Sequence, residues 1–114
     1  MNALNKHSKA VADKQIMADV ATVRGYKLKP VDWRQKKLKP AMLERNPGRE
    51  LWQPAYNAFN IRITRRDEGD AYEVHAAGVP TTKFMNIADA MLDAETTHNL
   101  KLHHFLDQLV EFDA

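Results

Sequence analysis

The sequence predicts an α+β fold: an N-terminal helix, a basic proline-segmented arm, and a three-stranded antiparallel sheet packed by a C-terminal helix or helices. Three observations lead there. Apolar residues recur at helical spacing near both ends of the 114-residue chain, two stretches between residues 59 and 76 alternate apolar with polar, and four of the five prolines crowd into residues 30–54. Length and an apolar fraction of 44% suit a chain with its own core. Within it, residues 1–57 read as a basic helix and extended arm, and residues 58–114 as a compact β-β-β-α(-α) domain.

The first helix covers SKAVADKQIMADVATVR, residues 8–24. Ser8 is placed to cap its free amides, and Gly25 to end it in a left-handed conformation. Val11, Ile16, Val20 and Val23 form a partial apolar stripe, with Lys9, Asp13, Lys14 and Asp19 on the polar side. Next comes KLKPVDWRQKKLKP, residues 27–40, which spells KLKP twice around Trp33. Pro30, Pro40, Pro47 and Pro54 each bias the preceding residue toward extended geometry. Asp32 is expected to cap a short helix over 33–38, Pro40 to open another through Glu44, and Asn46-Pro47-Gly48 to close it. Little other regular structure is expected before residue 58.

The second half has clearer periodicity. Phe59-Asn60-Ile61-Arg62-Ile63-Thr64 and Tyr72-Glu73-Val74-His75-Ala76 alternate, with a polar glycine-containing turn between them. That places Phe59, Ile61, Ile63, Tyr72 and Val74 on the inner face of a hairpin. Gly78-Val79-Pro80 turns into a short third strand over 81–84, with the proline at its start or on an edge. Asn86 caps a helix with Asp89 in its first turn, and Ile87, Met91, Ala94 and His98 share one side. Thr96-Thr97-His98-Asn99 has weak helix propensity, so one long helix or two are expected to carry Leu102, Phe105, Leu106, Leu109 and Phe112.

Several chemistries lack their residues. With no cysteine, disulfides, thiolate metal sites and cysteine nucleophiles are excluded, which is compatible with a reducing compartment. Ser8 is the one serine, and no GxSxG motif, phosphate loop or nucleophile–base pair is visible, so the reading is non-enzymatic. His103 and His104 are adjacent and diverge by about 100° on a helix, while Glu95 and His98 supply only two ligands. No metal and no cofactor is therefore expected. With no membrane-length apolar run and no secretory leader, a cytoplasmic protein is the expectation.

Charge is the positive signal. Residues 1–49 hold twelve Lys/Arg against four Asp/Glu, and residues 50–114 hold five against eleven, within a net charge of +2. Such asymmetry points to a polyanionic or acidic partner for the basic half. Lys27, Lys29, Arg34, Lys36, Lys37 and Lys39 are the residues expected to neutralise phosphates, with Arg62, Arg65 and Arg66 secondary. Trp33 and Tyr26 offer flat faces on which a base could stack. The competing expectation is a protein partner that receives Trp33 while the lysines pair with its acidic rim.

Residues 59–95, FNIRITRR, a polar turn, YEVHAAG, a short strand and FMNIADAMLDAE, weakly resemble the ethylene-response-factor and integrase type of DNA-binding domain. The resemblance implies an exposed sheet face that reads DNA through Asn60, Arg62, Thr64, Glu73 and His75, with Arg65 and Arg66 at its edge. Glu73, His75 and the acidic helix depart from that family's arginine- and tryptophan-rich sheet. In general style the chain also looks like phage or mobile-element accessory proteins, many of which bind and block a host protein. The expectation taken forward is a binding module whose basic half contacts nucleic acid. The alternative is an accessory factor that inhibits or redirects a host protein.

Overall fold

The structure, a computed structural model, describes residues 3–112. Its elements in chain order are α1 (Ala3–Arg24), β1 (Trp33–Gln35), α2 (Pro40–Arg45), β2 (Glu50–Pro54), β3 (Arg62–Arg65), β4 (Tyr72–Ala76), β5 (Val79–Phe84) and α3 (Ile87–Leu109). The α+β class holds, but the sheet has five strands in the order β1-β2-β3-β4-β5 where three were expected. The two additional strands both precede residue 58. Residues 33–38, expected as a helix capped by Asp32, instead begin with β1. With three residues β1 is too short to show an alternation, and β2 sets Leu51 beside Trp52 and ends in Pro54. Pairing of β1 with β2 and of β2 with β3 supplies the backbone partners that local sequence does not announce. Pro54 ends β2 opposite Trp33, where an absent amide costs least.

Every neighbouring pair in the sheet is antiparallel, and the register sorts side chains onto two faces. Trp33, Trp52, Ile63, Val74, Tyr72 and Phe84 fall on one face; Arg34, Leu51, Thr64, Arg62, Glu73, His75 and Lys83 fall on the other. The first face is covered by α3. Its core joins Ile61, Ile63, Tyr72, Val74 and Phe84 to Ala90 and Ala94, whose small side chains let the helix approach closely. The expected inner-face set is thus buried, except that Phe59 lies just before β3 and packs at the margin. Between β4 and β5 the register slips by one residue, and this bulge accommodates Pro80 on the edge strand.

Asn86 caps α3 by accepting the Asp89 amide at 2.8 Å. The helix then continues unbroken to Leu109. Through the weak stretch, the Thr96 hydroxyl donates to the Leu92 carbonyl at 2.9 Å. Past the sheet, Phe105 and Leu109 are exposed.

The first helix starts at Ala3, so Ser8 sits inside it rather than at its cap; the Ser8 side chain lies outside the described residues. Gly25 ends it with φ +89°, and the Tyr26 amide reaches back to the Ala21 carbonyl at 3.0 Å. The pairs Lys14–Glu95 and Arg24–Asp107 advance together along both helices, so α1 runs parallel to α3. Its contact side is not the expected valine stripe. Ala21 is 1% exposed, whereas Ile16 and Val23 are 53% and 71% exposed. The reason lies on α3, whose buried Asn99 and His103 are polar. A helix meeting such a seam approaches with a small residue, and its β-branched side chains turn to water.

Candidate functional site

The sheet face opposite α3 is not covered by a helix layer. Instead the segment from residue 36 to residue 49, with α2 inside it, lies along one side and makes a groove of about 770 Å³. Leu38, Met42, Asn46 and Arg49 form one wall, and Leu51, Arg62, Thr64, Glu73, His75 and Lys83 form the sheet wall. A hollow of about 270 Å³ adjoins it, lined by Lys36 and Lys37 and sharing Leu38 and Arg49 with the groove. The sequence-expected residues Arg62, Thr64, Glu73 and His75 therefore come together, along with Arg66, Lys36 and Lys37. Arg49 and Lys83 join them and were not singled out by sequence. Lys83 was hidden because its strand partner, Glu73, sits ten residues away in no visible motif.

Polar contacts order part of this face. The Thr64 hydroxyl lies 2.9 Å from His75 Nε2, Glu73 lies 3.5 Å from the same nitrogen, and Lys83 lies 3.6 Å from Glu73. Arg49, Arg62 and Arg66 are exposed and have no side-chain hydrogen bond or ion pair among the described residues. Unpaired guanidinium groups above an ordered polar floor form a receptive surface for oxygen anions.

The neighbouring Arg65 is engaged elsewhere. Its side chain is 19% exposed, pairs with Glu50, donates from Nε to the Gly48 carbonyl at 3.2 Å and lies over the Tyr72 ring. Tyr72 donates its hydroxyl to Glu50 at 2.8 Å, and Trp52 donates its indole N–H to the same carboxylate at 3.1 Å. Burial, reinforced by Glu50, pushes the Tyr72 hydroxyl above its usual range. This network ties β2, β3 and β4 together on the inner-face parity, and its Glu50 and Arg65 also reach the lining of the groove. Gly48 also fits where no side chain could, since a Cβ would collide with the Glu68 backbone.

The other expected residues are dispersed. Arg34 pairs with Asp32 at 2.8 Å; hydrogen bonding to the guanidinium holds the Asp32 carboxyl below its ordinary range and raises that of Arg34. Lys27 and Lys29 are exposed in the connection after α1, and Lys39 precedes α2. Trp33 is half-buried on the inner face and packs against the core. Tyr26 contacts His103 Nδ1 at 3.1 Å and tilts against Phe112. The register places no Phe, Tyr or Trp side chain on the groove face.

Among the described residues no group of three or more His, Asp or Glu side chains is arranged to hold a metal. No described helix is long and apolar enough to cross a membrane. No protein family, curated protein or solved structure matches the chain.

Proposed function

We propose that the protein is a non-enzymatic nucleic-acid-binding module that lays a duplex against the open face of its sheet. One observation carries the reading: this face gathers Arg49, Arg62 and Arg66 without side-chain partners, next to Lys36 and Lys37, whereas on the opposite side Glu95 and Asp107 of α3 are paired with Lys14 and Arg24 of α1. A polyanion is attracted to the side whose cations are unpaired, which sets orientation as well as affinity. The cationic groups contact phosphates, and Thr64 and His75 provide hydrogen-bonding groups at the centre. With no aromatic platform on this face, stacking of unpaired bases is not the expected mode.

The test is a titration of labelled duplex and single-stranded DNA and RNA at two salt concentrations, with Arg62→Glu and Arg66→Glu together as the control. Binding should weaken steeply with salt and fall at least about tenfold in the double variant. A wild-type chain that binds no duplex at low salt, or a double variant that binds normally, would sink the reading.

A second reading, an accessory factor that docks on a host protein, draws on a different surface. Phe59, Leu100 and Phe105 line an apolar hollow of about 390 Å³ beside the exposed end of α3. That reading predicts a specific partner in a cell-extract pull-down that Phe105→Ser releases.

A further inference from the structure

The geometry points to residues 36–49 as a movable basic flap that folds down on a nucleic-acid backbone lying over the open sheet face. The inference rests on the functional reading above and adds the mode of grip. Adjacent antiparallel strands are usually joined by loops of about two to five residues. The connection between β1 and β2 is far longer, and it carries Lys36, Lys37, Lys39, Arg45 and Arg49 against the single acid Glu44.

The flap is fixed at its ends and weakly held in its middle. At one end the Lys36 amide donates to the Leu51 carbonyl at 2.8 Å, continuing the strand ladder. At the other, the Gly48 amide donates to Asp67 at 3.1 Å, and the close approach of Gly48 to Glu68 locks that corner. Between them, α2 has six residues, none of them buried, and its N-cap Lys39 makes no side-chain cap. Such a short helix has little stability of its own and depends on packing. Here the packing is a half-buried contact by Leu38, Met42 and Leu43. Pro40 and Pro47 delimit the segment and concentrate any swing at its two ends.

Charge gives the movement a direction. Arg49 on the flap stands across the groove from Arg62, Arg66 and Lys83, and Lys36 and Lys37 line the hollow that adjoins it. Like charges on the two walls, offset in part by Asp70 and by the pairing of Glu73 with Lys83, oppose closure in the free protein. A phosphate backbone placed between them neutralises both walls at once and turns that repulsion into attraction. An uncharged occupant would not do so, and the flap therefore couples closure to the class of ligand.

The chain lacks cysteine, so Met42→Cys installs a single thiol on the flap. Its rate of maleimide modification, and amide exchange over residues 40–46 of the unaltered chain, are measured free and with a duplex of about 20 base pairs. Both should slow at least about tenfold on binding. Changing Lys36, Lys37 and Arg49 together to Ser should lower the salt slope of duplex affinity by about 2.7, at about 0.9 per lost phosphate contact. Duplex binding that depends on Arg62 but leaves thiol reactivity, exchange and the triple variant's salt slope unchanged would overturn the flap and spare the site. Absence of duplex binding, or binding indifferent to Arg62→Glu, would overturn both. If the Met42→Cys chain fails to fold, amide exchange of the unaltered protein decides alone.

Discussion

The two faces of this sheet are made from the same strands, one residue out of step, and they do opposite work. Ile63 and Val74 are buried against α3, while their neighbours Arg62, Thr64, Glu73 and His75 stand over a groove. The adjacent pair Arg65 and Arg66 makes the contrast sharpest. Arg65 points inward and is held by Glu50, Gly48 and the Tyr72 ring; Arg66 is exposed at the groove. Identical side chains become a structural brace and a ligand-ready cation through strand parity alone. A duplicated basic residue in sequence therefore does not mean a duplicated function.

The contrast can be broken most severely at the inner face. Phe84→Ala removes a 2%-exposed ring from the core and should cost about 3–5 kcal/mol in urea unfolding. A loss under about 1 kcal/mol would show that α3 does not close the sheet as described. The arginine pair gives a finer division. Arg65→Met leaves Glu50 in a mostly buried site with one partner fewer, and should cost about 1–3 kcal/mol of stability. Arg66→Ser should change stability by less than about 0.5 kcal/mol while weakening duplex binding. Parallel measurements of unfolding and binding on both variants check the split, and an exchange of the two outcomes would reverse the assignment.

The smallest effect concerns the seam between α1 and α3. Burial, with the Arg24 cation nearby, outweighs the opposing Asp107 charge and the Met17 backbone hydrogen bond and lowers the pKa of His103 from its ordinary 6.5. The unfolded chain then binds the proton more readily than the folded one. Stability contributed by neutral His103 is present above about pH 6.5 and is lost as pH falls through its lower folded value. Thermal unfolding from pH 7.5 to pH 5 should show this loss reduced in His103→Gln. An identical pH profile in that variant would assign the dependence to other groups.

Much of the second half was legible because its patterns are local. Ile61, Ile63, Tyr72 and Val74 announce a half-buried hairpin by alternation, and Asn86 announces a helix start; in the first half, Pro40 and Asn46-Pro47-Gly48 bracket α2. There β1 escaped notice because three residues carry almost no periodicity, and β2 because Leu51 and Trp52 stand side by side and Pro54 ends it. The valine stripe of α1 misled for a related reason. Hydrophobic spacing shows that a helix has a side to bury, but the partner surface selects which side, and a polar seam at Asn99 and His103 selected Ala21. As for the candidate site, Arg62, Thr64, Glu73, His75 and Arg66 were visible as the polar half of an alternation and its edge. Arg49 and Lys83 were not, because Arg49 reaches the groove through the long connection before β2 and Lys83 through strand pairing.

The sequence by itself determined the α+β class, the basic character of the first half, and the lack of cysteine chemistry. Composition and local periodicity carry that information directly. Tertiary structure alone decided that KLKPVDWRQKKLKP contains an edge strand, that its tryptophan turns toward the core, and that its Lys36 and Lys37 line a hollow adjoining the groove that holds Arg62. The physical reason is register. Which face a strand residue occupies depends on hydrogen bonds to strands distant in sequence, and a shift of one residue would exchange brace for binding surface.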